Sequence, residues 1–233
     1  MENLFLKYMQ EHTDKKKGHR RRHVSLGPVI TVSREYGCYT DDIVDRLAQA
    51  LNEKNARNGV DKKWRVVTKE IIEKSAKELE LTPSVINDLS THEHNSFFDN
   101  LALFFSDNYY PSSAKVKNTI AKFIYETAAE GNVIIVGRAA EAITKDIKRS
   151  FHVRIVAPID WRAQEVSEKE GLLISEAKKK CIEEDKKRLK FRNFFEGDKP
   201  DVEFFNISFN MRDMMDEEMV ELLVIVSELR GFV

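Results

Sequence analysis

The stretch from Pro28 to Ala48, PVITVSREYGCYTDDIVDRLA, constrains the fold of this chain more than any other. Val29 to Val32 is a short run rich in β-branched residues, and it predicts a strand. A polar turn with one glycine, Gly37, follows. The chain then enters a segment whose apolar positions Ile43, Val44, Leu47 and Ala48 fit a helical period. A strand, a short loop and a helix in this order make a site for phosphate, because loop amides and the free N–H groups at a helix start converge on one point. The widespread phosphate-loop signature GxxxxGK[ST] is absent from the stretch.

The rest of the chain repeats the alternation. Trp64 to Val67 reads as a second strand. Lys69 to Leu79 reads as a helix that Thr68 can cap. Residues 82 to 131 are helical by pattern, with an aromatic centre (Phe97, Phe98, Phe104, Phe105, Tyr109, Tyr110), a break at Pro111 and a long helix from Ser113 to Ala129. After Gly131 comes the clearest buried strand, Val133 to Val136, in GNVIIVGRAAEAI. Phe151 to Val156 is a further strand, and Asp160 can cap a helix running to about Lys169. A charged helix from Ser175 to about Phe195, a strand near Phe205 to Phe209 and a helix from Asp213 to Leu229 complete the chain. Alternating strands and helices predict βα units on a parallel sheet.

Composition narrows the function. Thirty-eight basic and 39 acidic residues give a net charge of -1, so bulk charge selects neither nucleic acid nor an anionic surface. Any electrostatic function is local. The two cysteines, Cys38 and Cys181, form no CxxC pair, which fits a reducing compartment. No segment approaches the ~18 uninterrupted apolar residues of a membrane span, and we expect a cytoplasmic protein. Residues 1 to 27 form a charged extension, and residues 28 to 233 the α/β domain. Within the extension, Lys15 to His23 reads KKKGHRRRH. Its Lys15–Arg22 portion could touch nucleic acid, but it interleaves no aromatic residue for base stacking and equally suits a solvated lead-in.

With the elements placed, the sequence resembles the cytidylate-kinase-like family, a branch of the P-loop nucleoside monophosphate kinases. ITVSREYG (Ile30 to Gly37) is similar to that family's ITISREYGSGG opening, and VIIVGRAA (Val133 to Ala140) to its VIVGRGA segment. FHVRIVAPIDWR (Phe151 to Arg162) resembles its strand, Ala-Pro turn and arginine. EEDKKRLKFRNFF (Glu183 to Phe195) resembles its DxxRxxYY helix, and FNISFN (Phe205 to Asn210) its closing strand. The resemblance implies a three-layer P-loop NTPase-like α/β fold, a parallel sheet flanked by helices, with a helical insertion at 82–131 and a lid-like segment at 171–200. It also implies phosphoryl transfer from a nucleoside triphosphate to a CMP-like monophosphate, with Mg²⁺ and ATP. Nucleotides are the expected partners.

Phosphoryl transfer is catalysed chiefly by positioning and by cations that neutralise the moving group, so arginines are the residues to look for. Arg138, Arg162 and Arg188 are the candidate catalytic clamps. Arg138 follows a buried strand and Gly137, and it could bind a monophosphate or make a surface ion pair. Arg162 lies near a helix start, where an anionic ligand, Asp160 or Glu165 could partner it. Asp185, Arg188 and Arg192 fall at i, i+3 and i+7, on one helical face. Two arginines so placed can engage phosphate oxygens, although any solvated helix carries such pairs. The remaining candidates for phosphate or nucleotide binding are Ser33, Arg34, Glu35, Tyr36, Gly37, Thr40 and Gly137.

The loop departs from the family. Where two glycines and a basic residue follow Gly37-Ser, Cys38 is followed here by Tyr39, Thr40 and Asp41. A carboxylate at contact distance from a triphosphate costs about 1 to 4 kcal/mol, depending on how wet the site is. Thr40 or Asp41 equally serves as a helix cap. The sequence thus supports two readings, a phosphotransferase with an altered loop and a catalytically inactive nucleotide-binding or regulatory protein on the same fold. His92 and His94 alternate in THEHNS as strand-borne metal ligands would, but no third ligand stands near, and no metal site is expected there. Cys38, at a helix start, has a position that could make it reactive.

Overall fold

A computed structural model describes residues 26–68 and 113–233 of the chain. Five parallel strands form its sheet in the order β2-β3-β1-β4-β5. They are β1 (Val29–Arg34), β2 (Arg65–Val67), β3 (Val133–Val136), β4 (Ser150–Val156) and β5 (Ile207–Asn210). The helices are α1 (Asp41–Arg57), α2 (Ser113–Glu130), α3 (Ala140–Ile143), α4 (Ile159–Glu170), α5 (Ile174–Glu196) and α6 (Asp216–Leu229). The predicted helix at 69–79, the aromatic set, His92 and His94, and the basic run at 15–23 lie outside the described residues.

The β-branched run at Val29 is the centre of the sheet. It pairs with β3 on one side, in the register Val29 with Val133, and with β4 on the other, in the register Val29 with Ser150. A central parallel strand is covered on both faces, which is why the segment is apolar at successive positions instead of alternating. Ile30 and Val32 pack with Ile43, Val44, Leu47 and Leu51 of α1 and Met219 and Leu223 of α6. Val29 packs on the opposite face with Ile120, Ile124 and Ala128 of α2, with α3 and with Phe191 of α5. The result is three layers, helix, sheet and helix. A smaller cluster of Tyr36, Ala163, Val166, Ala177 and Cys181 fastens the loop after β1 to the α4–α5 pair.

Tertiary contacts move several predicted boundaries. The last strand begins at Ile207, not Phe205, because the Asn206 side-chain oxygen accepts from the His152 N–H and the Phe205 ring lies against Arg154 and Arg192. The last helix begins at Asp216, since Asp213 is held in the preceding turn by Asn210 and Arg212. Asp160 does not cap α4, which starts one residue earlier, after Pro158.

One buried polar pair crosses the central strands. His152 on β4 is 4% exposed, and its Nδ1 lies 2.8 Å from Thr31 Oγ1 on β1. Burial, assisted by the Arg230 charge, pulls its pKa from an ordinary 6.5 to about 4. The unfolded chain therefore binds a proton more readily than the native one, and stability falls as pH drops from above 6.5 toward 4. Denaturant titrations should show His152 withdrawing about 2 kcal/mol between pH 7 and pH 5. A His152→Asn variant should lack that component, and an equal loss in both proteins would refute the assignment.

Candidate functional site

Two chain connections diverge at the carboxyl edge of the sheet. From β1 the chain passes to α1 on one face; from β3, the neighbouring strand, it passes to α3 on the other. Such a divergence opens the crevice in which α/β sheets hold ligands. A narrow cavity lies there, lined by Ser33 and Arg34 from the end of β1, Gly137, Arg138, Ala139 and Glu141 after β3, and Arg188, Phe191 and Arg192 from α5. A second hollow on the surface, between α1 and α6 beside Arg46 and Glu217, shares none of these residues.

The residues after β3 are bent to aim at the crevice. Gly137, Arg138 and Ala139 have φ of 70°, 62° and 52°. Gly137 takes this conformation at no steric cost, while Arg138 and Ala139 store roughly 1–2 kcal/mol each, a strain typical of functional turns. Gly137 has a second constraint, because a Cβ there would stand 2.5 Å from an Arg34 guanidinium nitrogen. Glycine leaves that space to the Arg34 guanidinium. We expect Ala139→Gly to raise stability by about 1 kcal/mol in denaturant titration by relieving the strain; a loss of stability would show that the methyl packing outweighs it.

The cavity crowds like charges. Burial lowers the Arg34 pKa well below its ordinary value, with Arg188 and Arg138 adding to the effect. Burial and Arg188 bring Arg138 to about 10, and burial also lowers Arg188 and Arg192. Arg188 donates to the Arg34 carbonyl at 2.7 Å and stacks over the Tyr36 ring. Arg192 pairs with Asp201 at 2.7 Å and lies over Phe204 and Phe205. An anion among these guanidiniums relieves both their desolvation and their mutual repulsion.

The loop after β1 is organised differently. The Tyr36 N–H donates to Asp185 Oδ1 at 2.7 Å, and the Cys38 N–H to the Glu35 carbonyl at 3.1 Å. These two amides are therefore engaged within the protein. Arg162 holds the arrangement: its guanidinium donates to the carbonyls of Ala157 and Tyr36 and to Asp185 Oδ2 at 2.6 Å, with Glu35 3.3 Å away. Burial opposes the Arg162 charge, but Asp185 and Glu35 hold its pKa above the ordinary value. Glu35 also faces Arg154 and accepts from the Ala157 N–H. The Tyr36 hydroxyl donates to Glu170 at 2.6 Å. At Gly37 a Cβ would come within 3.0 Å of Arg162, so this glycine serves close packing of the loop on α4.

Of the sequence-derived candidates, Ser33, Arg34, Gly137, Arg138, Arg188 and Arg192 converge on the cavity. Glu35, Tyr36, Gly37, Arg162 and Asp185 form the brace beside it. Arg162 pairs with neither Asp160 nor Glu165: Asp160 bonds Lys178. Thr40 takes the N-cap position of α1, but its hydroxyl makes no capping bond and is buried with no hydrogen-bond partner. Cys38 is inert, since burial pushes its thiol up to about 12. Sequence reasoning missed Glu141, whose only signal was a lone carboxylate in an apolar run, three residues after Arg138.

The model of the cytidylate kinase-like family matches residues 29–213. The chain belongs to this family. A crystal structure of an uncharacterized protein from Eubacterium ventriosum ATCC 27560 is similar at 20% identity and a TM-score of 0.60, covering 86% of this chain and 97% of that one. The shikimate kinase of Bacteroides thetaiotaomicron is similar at 12% identity and a TM-score of 0.47, covering 86% and 97%. No curated protein sequence matches the chain. Membership makes it a kinase-like, nucleotide-binding protein of the three-layer α/β type. Among the described residues no helix is long and apolar enough to cross a membrane, and no three His, Cys, Asp or Glu side chains cluster as a metal site.

Proposed function

We propose that this protein is a cytoplasmic phosphotransferase that moves a phosphoryl group from a nucleoside triphosphate to a CMP-like nucleoside monophosphate. The observation that carries the reading is the convergence of Arg34, Arg138, Arg188 and Arg192 on one cavity at the divergence of β1 and β3. Guanidiniums held by buried packing are preorganised for phosphate oxygens and need no rearrangement when charge moves between them. Arg188 and Arg192 ride on α5 and Arg34 and Arg138 on the sheet edge, so a phosphate between them ties the helix to the sheet. Arg162 and Asp185 act one step away, by fixing the loop that follows Arg34.

The residues suit nucleotide phosphates at the arginines. For Mg²⁺, the Asp41 carboxylate, whose charge acts on Arg34, and the adjoining Thr40 hydroxyl, buried and without a hydrogen-bond partner, are oxygens that would hold the ion. Bound Mg²⁺ neutralises charge on the phosphoryl group in transfer. With only one or two protein ligands, such an ion depends on phosphate oxygens and waters for the rest of its shell.

A second reading, a catalytically inactive nucleotide-binding or regulatory protein, is favoured by the engaged amides of Tyr36 and Cys38 and by Asp41 where the family has a basic residue. A screen of nucleoside mono- and triphosphates with Mg²⁺, by titration calorimetry and by a coupled transfer assay, separates the two. Turnover of CMP or a related acceptor supports transfer, binding without turnover supports the second reading, and failure to bind any nucleotide rejects both.

A further inference from the structure

Phosphate binding accounts for the arginines of the cavity but not for Glu141. This residue lies in the first turn of α3, is 3% exposed and lines the cavity beside Arg34, Arg138, Arg188 and Arg192. Its Oε2 is buried and makes no hydrogen bond. Guanidinium donors are the natural partners of a carboxylate, yet two of the cavity's arginines bond other groups. Arg192 is engaged with Asp201, and Arg188 with the Arg34 carbonyl. Burial raises the Glu141 carboxyl above its ordinary value, although its own amide, Arg192, Arg154 and Arg34 oppose the shift.

A ligand in this cavity therefore meets cationic donors from three segments and, from Glu141, an oxygen that lacks a donor. An ionised carboxylate only accepts hydrogen bonds, so it repels a bare phosphate oxygen and welcomes an O–H. Among the described residues it is the one carboxylate that lines the cavity.

We propose that Glu141 is a specificity-determining residue, whose Oε2 accepts a hydrogen bond from an O–H carried on or beside the phosphate that the arginines hold. The inference rests on the reading of the cavity as a phosphate site. The O–H has two possible sources, the P–OH of a protonated phosphate or a sugar hydroxyl close to it. Sulfate supplies neither, since it is fully ionised at neutral pH. A site built around an O–H discriminates strongly against an analogue that lacks one, because its acceptor is then left buried and unpaired.

Calorimetric titration of the full chain at fixed ionic strength tests this with inorganic phosphate, sulfate, CMP and 2′,3′-dideoxy-CMP, on the wild type and on Glu141→Gln. If the phosphate supplies the O–H, the wild type prefers phosphate to sulfate by about tenfold or more. If the sugar supplies it, the same preference separates CMP from its dideoxy analogue. In either case Glu141→Gln, whose amide can donate to a bare oxygen, reduces the preference to less than about threefold, chiefly by improving the poorer ligand. A wild type that binds phosphate or CMP with neither preference overturns the proposal, whatever the variant does. So does a preference that survives in a folded Glu141→Gln protein. A wild type that binds none of the four rejects the phosphate reading itself, and this proposal with it.

Discussion

Arg138→Met is expected to weaken binding of a nucleoside monophosphate by about a hundredfold, or 2–3 kcal/mol, the usual loss when a charge-assisted donor to phosphate is removed from a water-poor site. Arg138 is set at the cavity by the left-handed turn that follows β3. Methionine retains most of the aliphatic packing and removes a guanidinium that burial and Arg188 already hold near a pKa of 10. The variant should lose little stability, and an unchanged thermal unfolding curve excludes unfolding as the cause of the binding loss. Titration calorimetry against CMP, paired with a melting curve, reads both quantities. Undiminished affinity in a folded variant would remove Arg138 from the site.

The second large effect is structural. Asp185→Ala removes the acceptor of the Tyr36 N–H and one anionic partner of Arg162 at once. Arg162 is 7% exposed at its side chain and Asp185 27%, so the pair is neither fully buried nor a surface contact. Discounted for that partial exposure, the loss should be about 2–3 kcal/mol in denaturant titration. Asp185→Asn keeps an oxygen for the Tyr36 amide and forfeits the charge, and should cost about half as much. Hydrogen exchange gives the local readout: the Tyr36 amide should exchange much faster in the alanine variant and stay protected in the asparagine one. Equal protection in wild type and Asp185→Ala would mean that α5 does not hold the loop. Because the same loop follows directly on Arg34, nucleotide affinity should fall with the alanine variant as well.

These two expectations mark the division between what is legible in the chain and what is not. The strand Val29–Arg34, helix α1 and the buried strand Val133–Val136 can be read directly, because their periodicity follows from which faces of a parallel sheet are covered. Arg138 and Arg188 can also be singled out, since a cation after a buried strand and an i, i+3 pair with Asp185 are visible as spacing. What spacing cannot supply is the partner. Arg162 and Arg188 look alike as cations on charged helices, but one is turned into a brace of carbonyls and carboxylates and the other toward the cavity. Glu141 has no pattern of its own, and its meaning lies in the arginines that come to it from β1 and α5.

The sequence by itself determined the α/β alternation, the central strand, the polar turn at Gly37 and the family resemblance, since each depends on neighbours within one element or on motifs in order. Only the tertiary structure decided the use of the Pro28–Ala48 stretch. Asp185, 149 residues along the chain from Tyr36, takes an amide that a phosphate would otherwise find, and the arginines gather at the edge between β1 and β3. The physical reason is that hydrogen-bond partners and local dielectric are set by groups distant in sequence, and those groups meet only after the sheet has formed.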